Sequence, residues 1–462
     1  MHNITNLSTN SPATLFSPNE IEYDVIIVGA GVAGCSAAYH LMTQQQGQGQ
    51  AAVGLRVLVV DAGPAPGEGL APQTRSGTAT MEVAPCVKMM VQLFAGSCDD
   101  FVRHHGKEGA KQYLDATREG LVLQKGIAGQ LWDTDEERGN QLKELGSYYV
   151  GSSERDEIEL KREFEILSSL MNDDDGIEWC DADRLSSVEG MSSDFCCGIY
   201  FPQDAIIDSS MYAKVMMEYT VKKSDGNTEF WPNTTVHSID PQDGGEMVRI
   251  QIDGNGCRTI TARHVVVATG ALCRVRRQHE RLNGLMKPCY SYLVHVPTST
   301  TGAHTHSHDD DYCSPNFFTW GYTHDWCFTK GKIRVSGEDH FSAYKSPKVE
   351  ERCKRLSRWT LDRYDCSNSY TDDEISSFPR QHGLYSETVD MVPMIGALLQ
   401  ENEHNEERNI CYLLGCNAWG QTILSYCASL VPGLLGYQEF TESQRDVLKL
   451  VSIQRFACLP PK

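Results

Sequence analysis

Not one lysine or arginine occurs before Arg56, no apolar run reaches the roughly 18 residues that a membrane-spanning helix needs, and no two cysteines are spaced C-x-x-C. Without a basic start, the polar segment 1–22 reads as a disordered tail and not as a secretory or organellar signal. The sequons at Asn3 and Asn6 then meet no glycosylating compartment. Without a long apolar run, no membrane span is expected. The 17 cysteines, scattered with no regular spacing, read as reduced thiols of a cytoplasmic protein. Positive charge is scarce overall: 41 Lys and Arg against 62 Asp and Glu leave a formal charge of −21. That balance repels nucleic acid and anionic membranes, so a small-molecule substrate is the expected partner. No hydrolase signature such as G-x-S-x-G is present.

What is present begins at Tyr23. Asp24 leads into the β-branched run Val25-Ile26-Ile27-Val28, which suits a central parallel strand. Gly29-Ala30-Gly31-Val32-Ala33-Gly34 follows at once, and Cys35 to Met42 then reads as helix. Strand, G-x-G-x-x-G turn and helix form the unit that lets backbone approach a dinucleotide pyrophosphate at a helix N-terminus. A Gln/Gly-rich insert, Gln44 to Gly54, lengthens the usual spacing to the next strand, Arg56 to Val60. That strand ends at Asp61, whose carboxylate can accept ribose hydroxyls. The glycines alone leave FAD, NAD and a plain tight turn open.

A length of 462 residues suits two joined domains. Residues 85–175 read as mainly helical, with helical spacing in Val87 to Phe94 and in Ile158 to Met171. Extended chain is expected around 198–203. Asp208-Ser209-Ser210 then caps a helix whose Met211, Val215, Met216 and Tyr219 read as core filler. Strands are expected at 227–237, 247–252 and His264 to Ala268. Alternation between 290 and 340, as in Trp326 to Phe328 and Lys332 to Ser336, predicts an antiparallel sheet. A helix at Lys348 to Tyr364, a strand at Ile410 to Leu414 and a helix at Gln421 to Leu430 complete the reading.

Several separated segments together resemble the D-amino-acid-oxidase superfamily of FAD-dependent oxidoreductases, the glycine- and sarcosine-oxidase-like enzymes. They are Asp24 to Leu41; Phe201-Pro202 with Asp204 and Ile207-Asp208; Val265 to Gly270; Val389 to Gly396; and Leu414 to Gln421. The resemblance implies an α/β fold (α+β overall), with a Rossmann-like FAD-binding domain interleaved with an antiparallel-sheet substrate domain. Residues 23–84, 180–285 and 380–462 would form the first, and 85–179 and 286–379 the second. It further implies pyrophosphate and ribose contacts at Gly29, Ala30, Gly31, Val32, Ala33, Gly34, Asp61 and Ala62. Arg75, Ser76, Gly77 and Thr78 would run beside the flavin, the backbone of Val236 would hold adenine, and Ala268, Thr269 and Gly270 would return over the cofactor. Gly415, Asn417, Ala418, Trp419, Gly420, Gln421 and Thr422 would face the isoalloxazine carbonyls, where helix N–H groups stabilise a reduced flavin.

Departures from the family pattern bound the chemistry. Many members place an arginine for the substrate carboxylate where this chain has Tyr385, in Gly383-Leu384-Tyr385-Ser386, and a tyrosine lacks the bidentate charged fork. Tyrosine there resembles the sarcosine-oxidase branch, which favours secondary or tertiary amines. That branch attaches its flavin through a cysteine where this chain has Gly383, so non-covalent FAD is expected. Trp419 stands where some relatives carry a cation, which suggests an aromatic cavity. Arg334 falls near a lysine that assists oxygen reduction in the same branch; the alternative is a surface strand cation. His304, His306 and His308 with Asp309 to Asp311 read as a solvated hairpin and not a metal site, and the acidic runs Asp133 to Glu137 and Asp173 to Asp175 as solvated loops. The expected activity is oxidation of a C–N bond of an amine or amino-acid-like substrate by hydride transfer to flavin N5. Tyr385 would orient the substrate, and oxygen or another acceptor would take the electrons. A 2-hydroxy-acid dehydrogenase and a non-catalytic FAD-binding interaction protein are the alternatives.

Overall fold

The computed structural model describes residues 22–47, 54–66, 89–91, 94, 96–132, 141–171, 176–242, 247–253, 257–271, 282, 284–297, 313–321, 323–329, 331–342, 344, 346–364, 370–399 and 408–457. Arg75 to Thr78, the His304–His308 segment and both acidic runs lie outside them, as does the tail apart from Glu22.

Among the described residues, one sheet is built on five parallel strands in the order Thr228–Trp231, Val57–Val60, Tyr23–Val28, Arg258–Val267, Ile410–Leu414. Strands covered on both faces must be apolar throughout, and Val25, Ile26, Ile27 and Val57 to Val60 are fully buried. Val248–Asp253 pairs antiparallel with the first half of Arg258–Val267 and Thr235–Pro241 pairs antiparallel with Val248–Asp253, while Met394–Gly396 closes the other edge on Ile410–Leu414. The helix Val32–Gly47 packs against Ser209–Lys223 and Gln421–Ser429, and the last of these packs against the long helix Cys98–Leu131. Asp208 caps Ser209–Lys223 as expected, its Oδ1 accepting the Met211 N–H at 3.0 Å. Met216 is buried in the core, whereas Met211 is exposed.

The second sheet runs Arg380–Thr388, Met286–Pro297, Lys332–Phe341, His324–Thr329, Asn316–Thr319, Ser147–Gly151, Cys197–Phe201, Glu178–Asp181. Its pairs are antiparallel except where Asn316–Thr319 meets Ser147–Gly151. The helix Val349–Arg363 covers one face, burying Leu356 and Leu361 with Tyr292, Trp326 and Val335. The other face turns towards the parallel sheet.

Two expectations need correction. Residues 85–175 are mainly helical, in Cys98–Leu131 and Glu154–Leu170, but Met89–Met90 is a strand inside the segment Val87 to Phe94 read as helix, and Ser147–Gly151 joins the second sheet. A short apolar run carries no decisive period, and the aromatic and β-branched Tyr148, Tyr149 and Val150 favour a pleated surface. The boundaries at 180 and 380 also fall differently, since Cys197–Phe201 and Arg380–Thr388 are strands of the second sheet. Long-range pairing assembles that sheet from distant segments, and no local turn signal marks where the chain crosses. Among the described residues no helix is long and apolar enough to cross a membrane, and the cysteines are free.

Candidate active site

The glycine loop sits where three parallel strands end. The Gly29 N–H donates to Val60 O at 2.8 Å and the Ala268 N–H to Val28 O at 2.9 Å, so the loop and the strand end at Thr269-Gly270 are tied together. A Cβ on Gly34 would meet Gly29 O at 1.9 Å, which is the close packing of helix on turn that requires glycine. A Cβ on Gly31 would meet no protein atom within 4 Å. Gly31, Val32 and Ala33 instead line a cavity of about 620 Å³, into which the first turn of Val32–Gly47 brings N–H groups with no intrahelical partner. Asp61 Oδ2 accepts the Ala30 N–H at 2.6 Å and Oδ1 the Gly63 N–H at 2.6 Å. The carboxylate therefore holds the loop itself in shape. Burial pushes its carboxyl above the usual range, opposed by those two N–H groups.

A second loop meets the cavity from the end of Ile410–Leu414. Gly415, Asn417 and Ala418 all adopt left-handed backbone, with φ of 87°, 50° and 63°. For the two non-glycine residues that conformation is strained and needs external support. Asn417 supplies it: its N–H donates to Ser386 O at 2.8 Å, its Nδ2 to Gly415 O at 3.1 Å, and its Oδ1 accepts the Thr388 N–H at 2.7 Å. Just beyond Thr388, Arg455 grips Asp390 with a two-pronged ion pair at 2.6 and 3.0 Å and also donates to Val392 O and Pro393 O. The helix Gln421–Ser429 starts from Gly420 with no side-chain cap, beside the cavity wall formed by Ala418, Trp419, Gln421 and Leu424.

The second sheet forms the opposite wall. Tyr385 lines the cavity, and its hydroxyl donates to Asp339 Oδ2 at 2.8 Å. Alternation from Arg334 would place Glu338, not Asp339, on this face. A bulge reverses the phase: Gly337 has φ 140°, Glu338 has φ 56°, and the pairing with Met286–Pro297 slips between Tyr290 and Tyr292. A Cβ at Gly337 would meet Thr323 O at 2.3 Å, so only glycine fits there. Glu338 turns outward to Arg352 and Arg355, and Asp339 turns inward. Asp339 is open to the cavity yet surrounded by protein, and burial raises its carboxyl above the usual range against hydrogen bonds from Ser291 and Tyr385. Glu387, two residues from Tyr385, is raised by burial and by the Asp339 charge.

The cavity thus brings together Gly31, Val32, Ala33, Ala268, Gly270, Gly415, Ala418, Trp419, Gln421 and Tyr385 of the residues expected from sequence. Val236 stands apart, buried on its strand opposite Ile252. Arg334 is not a surface cation: it is 3% exposed, with Nη2 3.6 Å from Asp325 Oδ1, and the cavity is lined by Asp325 and not by Arg334. Sequence reasoning missed Asp325, Asp339, Glu387, Cys289 and Trp320. The one local signal for Asp339 was Gly337 inside a strand, which marks a bulge.

These features fit an extended dinucleotide. The open side of Gly31 leaves room for a pyrophosphate, and Thr269 Oγ1 and Thr422 Oγ1 are buried without a hydrogen-bond partner. A parallel sheet ending in such a cradle, roofed across a cavity by an antiparallel sheet, is the architecture of a dinucleotide-binding protein. A family model described as "DAO: FAD dependent oxidoreductase" matches residues 24–431, and the chain belongs to that family. Solved structures with the same fold include glycine oxidase from Geobacillus kaustophilus, at TM-score 0.63 and 17% identity over 91% of this chain and 96% of that one. L-proline dehydrogenase from P. horikoshii follows at 0.64 and 14%, covering 94% and 98%. Iminodiacetate oxidase from Chelativorans sp. BNC1 gives 0.60 and 16%, covering 93% and 98%. At these identities the likeness is one of fold. No curated protein matches the sequence.

Proposed function

We propose that the cavity oxidises the C–N bond of an amine or amino-acid-like substrate, with FAD held non-covalently and oxygen as electron acceptor. The observation that carries this reading is a single cavity shared by the glycine loop, the Gly415–Gln421 loop and Tyr385. Bound FAD would supply the two-electron acceptor for a hydride leaving the carbon next to nitrogen. The chain supplies position and field. Gly31 to Ala33 receive the pyrophosphate at a helix start, with Asp61 keeping the loop in shape. The N-terminus of Gln421–Ser429, with no side-chain cap, favours negative charge in front of it. Tyr385, fixed by Asp339, orients the substrate nitrogen, and Trp320 and Trp419 exclude water. Gly383 offers no thiol for a covalent link. The similar structures named for glycine, L-proline and iminodiacetate support a nitrogen-bearing substrate.

The test is the spectrum of the purified protein. Absorption of oxidised flavin should be present or restored by added FAD, and acid precipitation should release it. Without air, amines should bleach it, and readmitted oxygen should restore colour with release of peroxide. A protein that takes up no FAD, or one bleached by 2-hydroxy acids and not by amines, would sink the reading; colour retained in the acid pellet would sink the non-covalent part.

A further inference from the structure

The charge on the substrate wall narrows the substrate class. Three carboxylates line the cavity, Asp325, Asp339 and Glu387, and among the described residues no lysine, arginine or histidine lines it. Asp325 is matched by Arg334 on the same face of the sheet, whose Nε and Nη2 make no hydrogen bond and which lies buried behind it. A carboxylate seeking that guanidinium would have to displace Asp325. Lys287 stands opposite Glu387 on the neighbouring strand but is exposed and outside the cavity lining. Arg352 points to Glu338 on the outer face. Among the described residues Asp339 makes no ion pair: the hydroxyls of Tyr385 and Ser291 touch it, and Arg352 attracts it only from its place beside Glu338.

A second feature of the same cavity points to the same ligand. Tyr149, Trp320, Trp419, Tyr385 and Phe341 line it. Tyr149 and Trp320 have ring centroids 5.5 Å apart, and Phe318 braces both Tyr149 and Trp419 at 5.0 Å. Aromatic faces around a carboxylate attract alkylammonium groups and offer nothing to a carboxylate.

We propose that Asp339 determines specificity by binding the positive nitrogen of the arriving substrate and taking its proton before hydride leaves the neighbouring carbon, and that the substrate class is a cationic amine with no carboxylate beside the reacting carbon. This rests on the reading of the cavity as an amine-oxidising site. It explains why Tyr385 can replace an arginine: the group it presents is hydrogen-bonded to a carboxylate, which selects for the opposite charge. It also gives the bulge at Gly337-Glu338 a purpose, since a regular strand would put Glu338 here, and Asp339 outside.

The test uses sarcosine and sarcosinamide, two secondary amines that differ in a carboxylate charge. Each is titrated without air into the FAD-loaded protein and into the flavin-free protein, following tryptophan fluorescence in both and flavin absorbance in the first. Sarcosinamide should half-saturate at a concentration at least about tenfold lower than sarcosine, a ratio of the size expected from one hydrogen bond to a charged group in a partly buried cavity. Asp339→Asn keeps an acceptor for Tyr385 and should bring the two within about twofold, by weakening sarcosinamide. Glu387→Gln should leave most of the preference, and thermal unfolding of both variants checks that they fold. Sarcosine bound as tightly as sarcosinamide, a preference that survives in Asp339→Asn, or no response to sarcosinamide at any soluble concentration would overturn the proposal. The underlying reading fails separately: bleaching by lactate and not by either amine would remove amine oxidation itself, whereas bleaching by sarcosine in preference to sarcosinamide would leave it standing and remove the role of Asp339.

Discussion

Asp339 works in a place that costs the fold something. Its carboxyl is held above the ordinary range chiefly by burial, so the folded chain binds that proton more tightly than the unfolded chain does. Between the ordinary aspartate value, near 3.9, and the raised value of the folded state, stability must therefore fall as pH rises. Its charge also raises the Glu387 carboxyl, which adds a loss of the same sign. Replacement by asparagine removes both contributions. In flavin-free protein, the Tm of Asp339→Asn relative to wild type should increase from about pH 4 to about pH 7, by a few degrees at most. Differential scanning calorimetry across that range checks it; a Tm difference that is flat or shrinks with pH would mean that Asp339 carries no such burden.

At the scale of elements, the same loop contains one glycine required by the fold and another required by a ligand. Gly34 presses on Gly29 O, so Gly34→Ala should destabilise the protein by about 1–3 kcal/mol with or without FAD. Gly31 faces open space, so Gly31→Ala should keep flavin-free stability within about 0.5 kcal/mol while weakening FAD binding about tenfold or more. Denaturant unfolding and flavin fluorescence titration separate the two, and equal effects on both readouts would contradict this assignment. That difference also marks what was legible in the sequence. The parallel strands and the glycine turn could be read because burial on both faces and a phosphate cradle each impose a local pattern, and the same holds for the cap at Asp208. Ser147–Gly151 and Cys197–Phe201 could not be placed, because a strand's partners are fixed by pairing between distant segments. The acidic wall was hidden for a related reason: regular alternation would turn Glu338 inward, and only the slip at Gly337 brings Asp339 there. Arg334 was found by its position, but its burial behind Asp325 depends on a neighbouring strand.

At the scale of the molecule, local and global charge agree. A formal charge of −21 surrounds a cavity lined by carboxylates and, among the described residues, by no cation, so a cationic amine is drawn both to the protein and then to the site. Attraction over the surface operates across a Debye length of about 30 Å at 0.01 M salt and about 10 Å at 0.1 M. The contact with Asp339 inside the cavity is screened far less. Added salt should therefore slow capture without altering the bound complex: kcat/KM for a singly cationic amine should fall about three- to tenfold between low and physiological ionic strength, with kcat nearly constant. A zwitterion such as sarcosine, with no net charge, should show a much smaller slope. Steady-state rates over a sodium chloride series decide it. If kcat/KM for the cation is insensitive to salt, the acidic surface takes no part in delivering substrate, and the preference must arise entirely within the cavity.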